Sequence, residues 1–456
     1  MKPNILFLVI DSLRADKLSN SNKKSVTPNL DSLKHDGCYF SQAISASDGT
    51  NVSLGSIFTS QHPFNHKITW YENYSNGKKN WSLFKTHGYN LYATVPDMPF
   101  LDTITSDFND RDLVSATGKL IRSKAPYLRI FEGFGNKILS RLSSIKNFSP
   151  WFYYVHIMDL HMAKKLPDEY TNNKFASNSW EQRLAVIDTW IEKILNEVNL
   201  ENTLVVLTAD HGEFDHDLDI DYGEMPKLQK TLKFFKAKSP KSVESLGVKF
   251  FVSLRERKRK RVLDKIKKNL EQKDDDQELR NISARGEDKL VDDSLRVPLV
   301  FSGFNLKHNE IAQQVRHVDI LPTIFELSDI THNQKFDGVS LLPLINNRPF
   351  DEIPAYIESV PDMNHERGNA IGIRTSQYKY YRSREDPKQN VFLFNLIADP
   401  NEMSNLANEN PDLIKILEKT LNDIKSNQSP SKNTEKMSDE KIAKARQILK
   451  ELGYDN

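Results

Sequence analysis

Four short, nearly unbroken apolar runs set the strongest limit on the fold: Ile5–Ile10, Trp151–Ile157, Thr203–Leu207 and Val297–Phe301. Each is far shorter than the roughly 20 apolar residues that cross a bilayer. Each also lacks the strict polar alternation of a half-exposed strand. Segments apolar on both faces belong in a sheet covered by helices on both sides. Between them lie helix-like stretches such as Trp180–Val198, WEQRLAVIDTWIEKILNEV. Strands alternating with helices predict an α/β fold with a mostly parallel central sheet. In such sheets chemistry collects at the carboxyl ends of the strands. Three of the four runs end in groups that can do it: Asp11, His156 and the pair Asp210–His211.

Composition narrows the function. Hydrophobic residues make up 38% and charged residues 27%, as in a globular protein. A formal net charge of +1 gives no global pull towards nucleic acid or membrane. The single cysteine, Cys38, excludes an internal disulfide framework and a cysteine metal cluster. The N-terminal run is too short for a secretory leader and stops at Asp11, so a cytoplasmic protein is expected.

The 456 residues divide into three stretches. An α/β domain is expected over 1–345, carrying a charged, mainly helical insertion at about 225–292 that contains RERKRKRVLDKIKKNLEQKDDDQELR. That insertion is either a solvated face or a basic surface for anionic lipid; no nucleic-acid motif accompanies it. A C-terminal subdomain with a small antiparallel sheet follows over 346–425, then a linker and last helix over 426–456. Helices are expected at Pro411–Lys425 and Ser438–Leu452.

Asp11, Asp210 and His211 have the oxygen and nitrogen donors of a divalent-metal site at one sheet edge. His156, Asp159 and His161 follow the second strand and suit proton donation, anion contact or metal binding. In DGTNVSLGSIFTSQHP, Thr50 opens a helix and is either its cap or a nucleophile at its positive end.

Taken in order, these motifs resemble the sulfatase family of the alkaline phosphatase superfamily. PNILFLVIDSLRAD, TPNLDSLKHDGCYF, TNVSLGSIFTSQHPFNH, VHIMDLH, VVLTADHGE, SLRVPLVFSG, VDILPTIFEL, FDGVSLLPLI, RTSQYKYY and LFNLIADPNEMSNLA match family segments in family order. The resemblance implies a large α/β/α sandwich plus a small C-terminal α+β subdomain. It implies one divalent metal held by Asp11, Thr50, Asp210 and His211, with Mn or Zn favoured over Ca or Mg. It implies that His161 contacts the transferring group, with His156 nearby. Asp159 and Lys289 are candidates for a second metal site or a substrate contact.

One departure redirects the substrate. The family's Cys or Ser precursor of formylglycine, and the Pro and Arg after it, are replaced by Thr50, Val52 and Leu54. No formylglycine is expected. A threonine ester has no second hydroxyl to expel sulfate, so it must be released by attack on phosphorus or sulfur. Three functions follow from the resemblance. The first is a metal-dependent hydrolase of phosphate or sulfate esters, with phosphodiesters and phosphonates favoured. The second is a phosphoglycerol or phosphoethanolamine transferase modifying a glycan or lipid. The third is a non-catalytic binding protein. The expected partner is a small anionic ester or a glycan- or lipid-linked one, with anionic membrane contact through the insertion; oligomeric state is left open.

Overall fold

The computed structural model describes residues 2–19, 23, 25–69, 72–115, 128–161, 166, 171, 176, 179–213, 290–360 and 369–426. Lys289, most of the charged insertion and the helix expected at 438–452 lie outside the described residues.

Nine described strands form the central sheet. They are β1 (Asn4–Ile10), β2 (Cys38–Ile44), β3 (Asn90–Pro96), β4 (Asp110–Val114), β5 (Trp151–Ile157), β6 (Thr203–Thr208), β7 (Arg296–Gly303), β8 (Asn309–Ile311) and β9 (Val315–Arg316). Their order is β4-β3-β5-β1-β6-β7-β2-β8, with β9 beside β2. The three central strands, β5, β1 and β6, are parallel and buried along their whole length, as their unbroken apolar runs predict. Their carboxyl ends share one edge, where Asp11, His156 and Asp210 stand.

Two features were not legible in the apolar runs. β7 is antiparallel to both β6 and β2; burial on both faces, rather than parallel pairing, makes it continuously apolar. β4 is an edge strand whose residues are mostly part-exposed, so it carries no such signal.

Helices α1 (Pro28–His35), α3 (Phe134–Ile145) and α4 (Ser179–Leu195) pack together as one layer, and α2 (Thr50–Thr59) and α5 (Ile320–Leu327) as another. In α4, Trp180, Leu184, Ile187, Ile191 and Ile194 repeat at helical spacing and are buried. Helix α2 is buried from Val52 through Thr59. Its Phe58 meets Phe7, Tyr154 and Trp81 at ring-centroid distances of 5.9, 5.2 and 5.1 Å. A helix enclosed this way has its direction fixed by the core, and its N-terminus points at the edge where Asp11 and Asp210 stand.

The C-terminal subdomain is a four-stranded antiparallel sheet, β10 (Ala355–Glu358), β11 (Ala370–Arg374), β12 (Tyr378–Ser383) and β13 (Phe392–Asn395). Helix α6 (Pro411–Lys425) covers one face, burying Leu417 and Leu421 against Ile371, Ile373, Tyr380 and Leu393. No helix among the described residues is long and apolar enough to cross a membrane.

A buried ionic cluster joins the subdomain to the main sheet. Asp292 takes Arg374 Nη2 at 2.8 Å and Lys379 Nζ at 2.9 Å, and Lys379 also pairs with Glu402. Arg374 Nη1 reaches Gln42 and Gln314. Lys379 is wholly buried, so removing it leaves the part-buried Asp292 and the buried Glu402 short of a cation. Lys379→Met is expected to cost about 3–5 kcal/mol, read as a lower urea midpoint; an unchanged midpoint would show the cluster to be dispensable.

Candidate active site

Strand register assembles the site. Val9 of β1 pairs with His156 of β5 on one side and Thr208 of β6 on the other, so the three strand ends are level. Asp11, Asp210 and His156 are fully buried there. His156 Nε2 lies 3.2 Å from Asp11 Oδ2, and the Tyr154 hydroxyl lies 2.8 Å from His156 Nδ1. Ser12 Oγ donates to Asp11 Oδ1 at 2.7 Å and lies 3.2 Å from His161 Nδ1. His161 Nδ1 is itself 3.2 Å from Asp11 Oδ1. Asp210 Oδ1 accepts the backbone N–H groups of His211 at 2.9 Å and Ser12 at 3.2 Å. Ser12 adopts a left-handed φ of 65° to do so, a strain typical of residues held by a functional site.

His211 Nδ1 is 2.6 Å from the carbonyl oxygen of Gly212. A carbonyl only accepts, so Nδ1 carries the hydrogen and Nε2 faces the site. Nε2 lies 3.5 Å from Asp210 Oδ2 and 3.4 Å from Thr50 Oγ1.

Thr50 is not the helix cap. Gly49, in extended conformation, is the N-cap of α2 and makes no side-chain cap bond; Thr50 is the first helical residue. Its hydroxyl instead donates to Asp11 Oδ2 at 3.4 Å. Val52 and Leu54, where the family carries Pro and Arg, are buried in the core. Ser45 Oγ reaches the carbonyls of Ser47 and Asp210 at 2.7 Å each, and Ser53 Oγ reaches Ser47 at 2.8 Å. The contact of Ser45 with the Asp210 carbonyl ties the loop before Thr50 to the loop after β6, and those with Ser47 brace the loop itself. Thr50 is half-buried and the His161 side chain is 36% exposed, whereas the groups behind them are closed off. A substrate can therefore approach from the side of Thr50 and His161.

The electrostatics suit a cation. Burial pushes Asp11 up, but the charge of His161 and hydrogen bonds from His156 and His161 override it and hold Asp11 well below the usual carboxylate range. Burial and then the Asp11 charge raise Asp210. Its Oδ2 is buried without a hydrogen bond, a costly state for a carboxylate oxygen unless an ion meets it. The Asp11 charge raises His161 to about 10. His211 is raised by Asp210 and Asp11 in spite of burial. Ligand atoms of Asp11, His161 and His211, and of Asp11, His156 and Asp210, lie within 4.8 Å of one another in each group. Oxygen and imidazole donors around an orphaned carboxylate oxygen fit a divalent metal.

Not every candidate joins this cluster. Both oxygens of Asp159 accept the backbone N–H of Ile130, at 3.0 and 3.2 Å, and Asp159 belongs to neither group of ligand atoms found among the described residues. Cys38 is buried at the start of β2, its thiol against the Lys307 carbonyl. The structure adds Ser12 and Tyr154 to the candidates that the sequence singles out. Tyr154 was findable, because residues two apart on a strand share a face; Ser12 is a polar residue beside a candidate and carries no spacing signal.

A family model described as Sulfatase matches residues 3–330, and one described as N-sulphoglucosamine sulphohydrolase, C-terminal, matches residues 287–427. Arylsulfatase K of Gallus gallus is 31% identical over 142 residues, 30% of this chain and 26% of that protein. Arylsulfatase K of Mus musculus is 30% identical over 138 residues, 29% and 25% of the two chains. The chain thus spans about a quarter of the length of the curated relatives it matches. Among solved structures, Ps i-CgsB in complex with k-i-k-neocarrahexaose has a TM-score of 0.63 at 18% identity, covering 94% of each chain. Phosphonate monoester hydrolase of Agrobacterium radiobacter has a TM-score of 0.62 at 15% identity, covering 93% of this chain and 96% of that one. At such identities the likeness is one of fold.

Burial raises Asp159 to about 7, against about 3.9 in an unfolded chain. The folded state then holds the proton more tightly, so this residue's contribution to stability falls as pH rises from about 4 to 7 and is flat above that. Asp159→Asn is expected to remove a loss on the order of a few kcal/mol across that window. Urea unfolding of both proteins at pH 4.5 and 7.5 checks it; parallel pH slopes would contradict it.

Proposed function

The chain belongs to the sulfatase family of the alkaline phosphatase superfamily, and on that premise we propose that it is a metal-dependent hydrolase of anionic esters with Thr50 as nucleophile. The observation that carries this proposal is the half-buried Thr50 hydroxyl, 3.4 Å from both Asp11 Oδ2 and His211 Nε2 at the N-terminus of a buried helix. Asp11, Thr50, Asp210 and His211 would hold the ion, with Mn or Zn favoured over Ca or Mg; when bound it supplies positive charge at the transferring group and lowers the pKa of the Thr50 hydroxyl.

The chain's own residues account for the remaining chemistry. Thr50 loses its proton to bulk water through the open side and attacks as the alkoxide, aided by the helix N-terminus. A bond forms from Thr50 Oγ1 to phosphorus or sulfur, and the bond to the leaving oxygen breaks. His161, whose Nδ1 lies 3.2 Å from Asp11 Oδ1, gives its Nε2 proton to that oxygen. Water then attacks the threonine ester at phosphorus or sulfur and gives its proton to His161, which regenerates the Thr50 alkoxide. His156 is sealed between Tyr154 and Asp11, so it orients Asp11 or adds a ligand and does not touch the substrate.

Phosphodiesters and phosphonate monoesters are favoured over sulfate esters, because Thr50 offers no second hydroxyl to expel sulfate by carbon–oxygen cleavage. The ester is carried on a small alcohol or a glycan. Support for this substrate class comes from a phosphonate monoester hydrolase and a structure holding a neocarrahexaose among the similar folds.

Thr50→Ala is expected to lower kcat by 10³-fold or more on aryl phosphodiester, phosphonate and sulfate substrates, on the order seen when a nucleophile is lost. Unchanged rates would overturn the mechanism. Stripping metal with a chelator should abolish turnover, and Mn or Zn should restore it and raise the melting temperature, since a ligand that binds the folded state stabilises it. Asp210→Ala should lose both responses; a melting temperature that still rises with metal in Asp210→Ala would put the ion elsewhere. Adding an alcohol acceptor and finding the ester moved onto it would make the enzyme a transferase.

A further inference from the structure

The loop that carries Thr50 is also held from outside the metal-facing cluster, by the end of β10 in the C-terminal subdomain. We propose that Asp48 is a positioning residue for Thr50, latching this loop to β10; the proposal rests on Thr50 being the nucleophile. The backbone N–H of Val360 donates to Asp48 Oδ1 at 2.8 Å. The backbone N–H of Glu358 donates to the Ala46 carbonyl at 3.0 Å. Ser47 and Glu358 form a parallel bridge. Residues 46–48 thus run beside 358–360 like a short added strand, closed at its far end by the Asp48 carboxylate.

Gly49 completes the fit. A Cβ there would lie 2.5 Å from Val360 Cγ2, so the loop lies against Val360 only because residue 49 has no side chain. Gly49 is also the N-cap of α2 and the residue before Thr50. The body of α2 cannot move, because the core encloses it. The freedom left to Thr50 is that of the loop between β2 and α2. On its inner side the Ser47 carbonyl is taken by Ser45 and Ser53. On its outer side Asp48 provides the matching hold. Asp48 therefore acts on the reaction through Thr50: its carboxylate is hydrogen-bonded to Val360 and to none of the proposed metal ligands. It makes the nucleophile's position depend on a subdomain that contributes none of the four proposed metal ligands.

The substitution need not unfold the protein. The subdomain is anchored separately by the Asp292, Arg374, Lys379 and Glu402 cluster and by the Arg374 bonds to Gln42 and Gln314. Asp48→Ala removes the acceptor for the Val360 N–H, whereas Asp48→Asn keeps an oxygen there without the charge. Two readouts are needed on the full chain: amide hydrogen exchange across residues 46–54, and kcat and KM on an aryl phosphodiester. Asp48→Ala is expected to raise exchange about tenfold, the effect of one lost hydrogen bond. It should lower kcat about 10²-fold, the cost of misplacing a reacting group by about 1 Å, with KM changed less than about threefold. Asp48→Asn should restore both towards wild type. Wild-type exchange in Asp48→Ala, raised exchange with unchanged kcat, or equal losses in both variants would each overturn the latch. If the wild-type protein turns over none of the esters, the nucleophile assignment fails, and the exchange data alone still decide whether Asp48 holds the loop.

Discussion

Asp11 and Asp210 stand fully buried at the ends of neighbouring strands, and burial together with the Asp11 charge makes the negative charge of Asp210 harder to bear. Two anions side by side in a low-dielectric interior are unstable unless something answers them. The protein supplies part of the answer. His156 and His161 face Asp11, and the backbone of Ser12 and His211 faces Asp210. One oxygen of Asp210 is still left without a hydrogen bond. That oxygen, with His211 Nε2 beside it at 3.5 Å, is the physical reason to place a divalent cation here, and much of the surrounding structure follows from holding the two carboxylates together.

The sheet order does the first part of that work. Because β1 lies between β5 and β6, their unbroken apolar runs bury the strands and leave polar groups only at the ends. Helix α2 does the second part. It crosses the core with no exposed face beyond its first turn, so its N-terminus delivers Thr50 to the carboxylates in one orientation. The histidines divide by burial: His156 is sealed within the sheet, while His161 stands at the open side where a substrate can meet it.

Much of this was readable in the chain. The runs at residues 5–10, 151–157 and 203–207 announced buried central strands, and the acids and imidazoles at their ends marked one edge, because burial on both faces excludes such groups from the middle. The parallel or antiparallel sense of β7 was hidden, since an interior strand of either kind is equally apolar. β4 gave no signal because an edge strand buries little. At the site, the grouping of Asp11, Asp210 and His211 follows from strand ends alone. Ser12 did not: its role comes from a left-handed turn that brings its backbone to Asp210 and its hydroxyl to His161. Thr50 could be read as a cap from its local sequence, but Gly49 takes the N-cap position and the Thr50 hydroxyl turns to Asp11. Asp48 carried no signal, because its partner, Val360, lies more than 300 residues away in the sequence.

The central claim is that Thr50 carries the transferring group in a covalent bond. Rapid-quench mass spectrometry of the protein during turnover of an aryl phosphodiester, followed by peptide mapping, tests it directly. The account predicts a phosphoryl ester on the peptide that contains Thr50, localised to its side chain and cleared when substrate is exhausted. Turnover with no adduct on that peptide, or with the adduct on another residue, would contradict it.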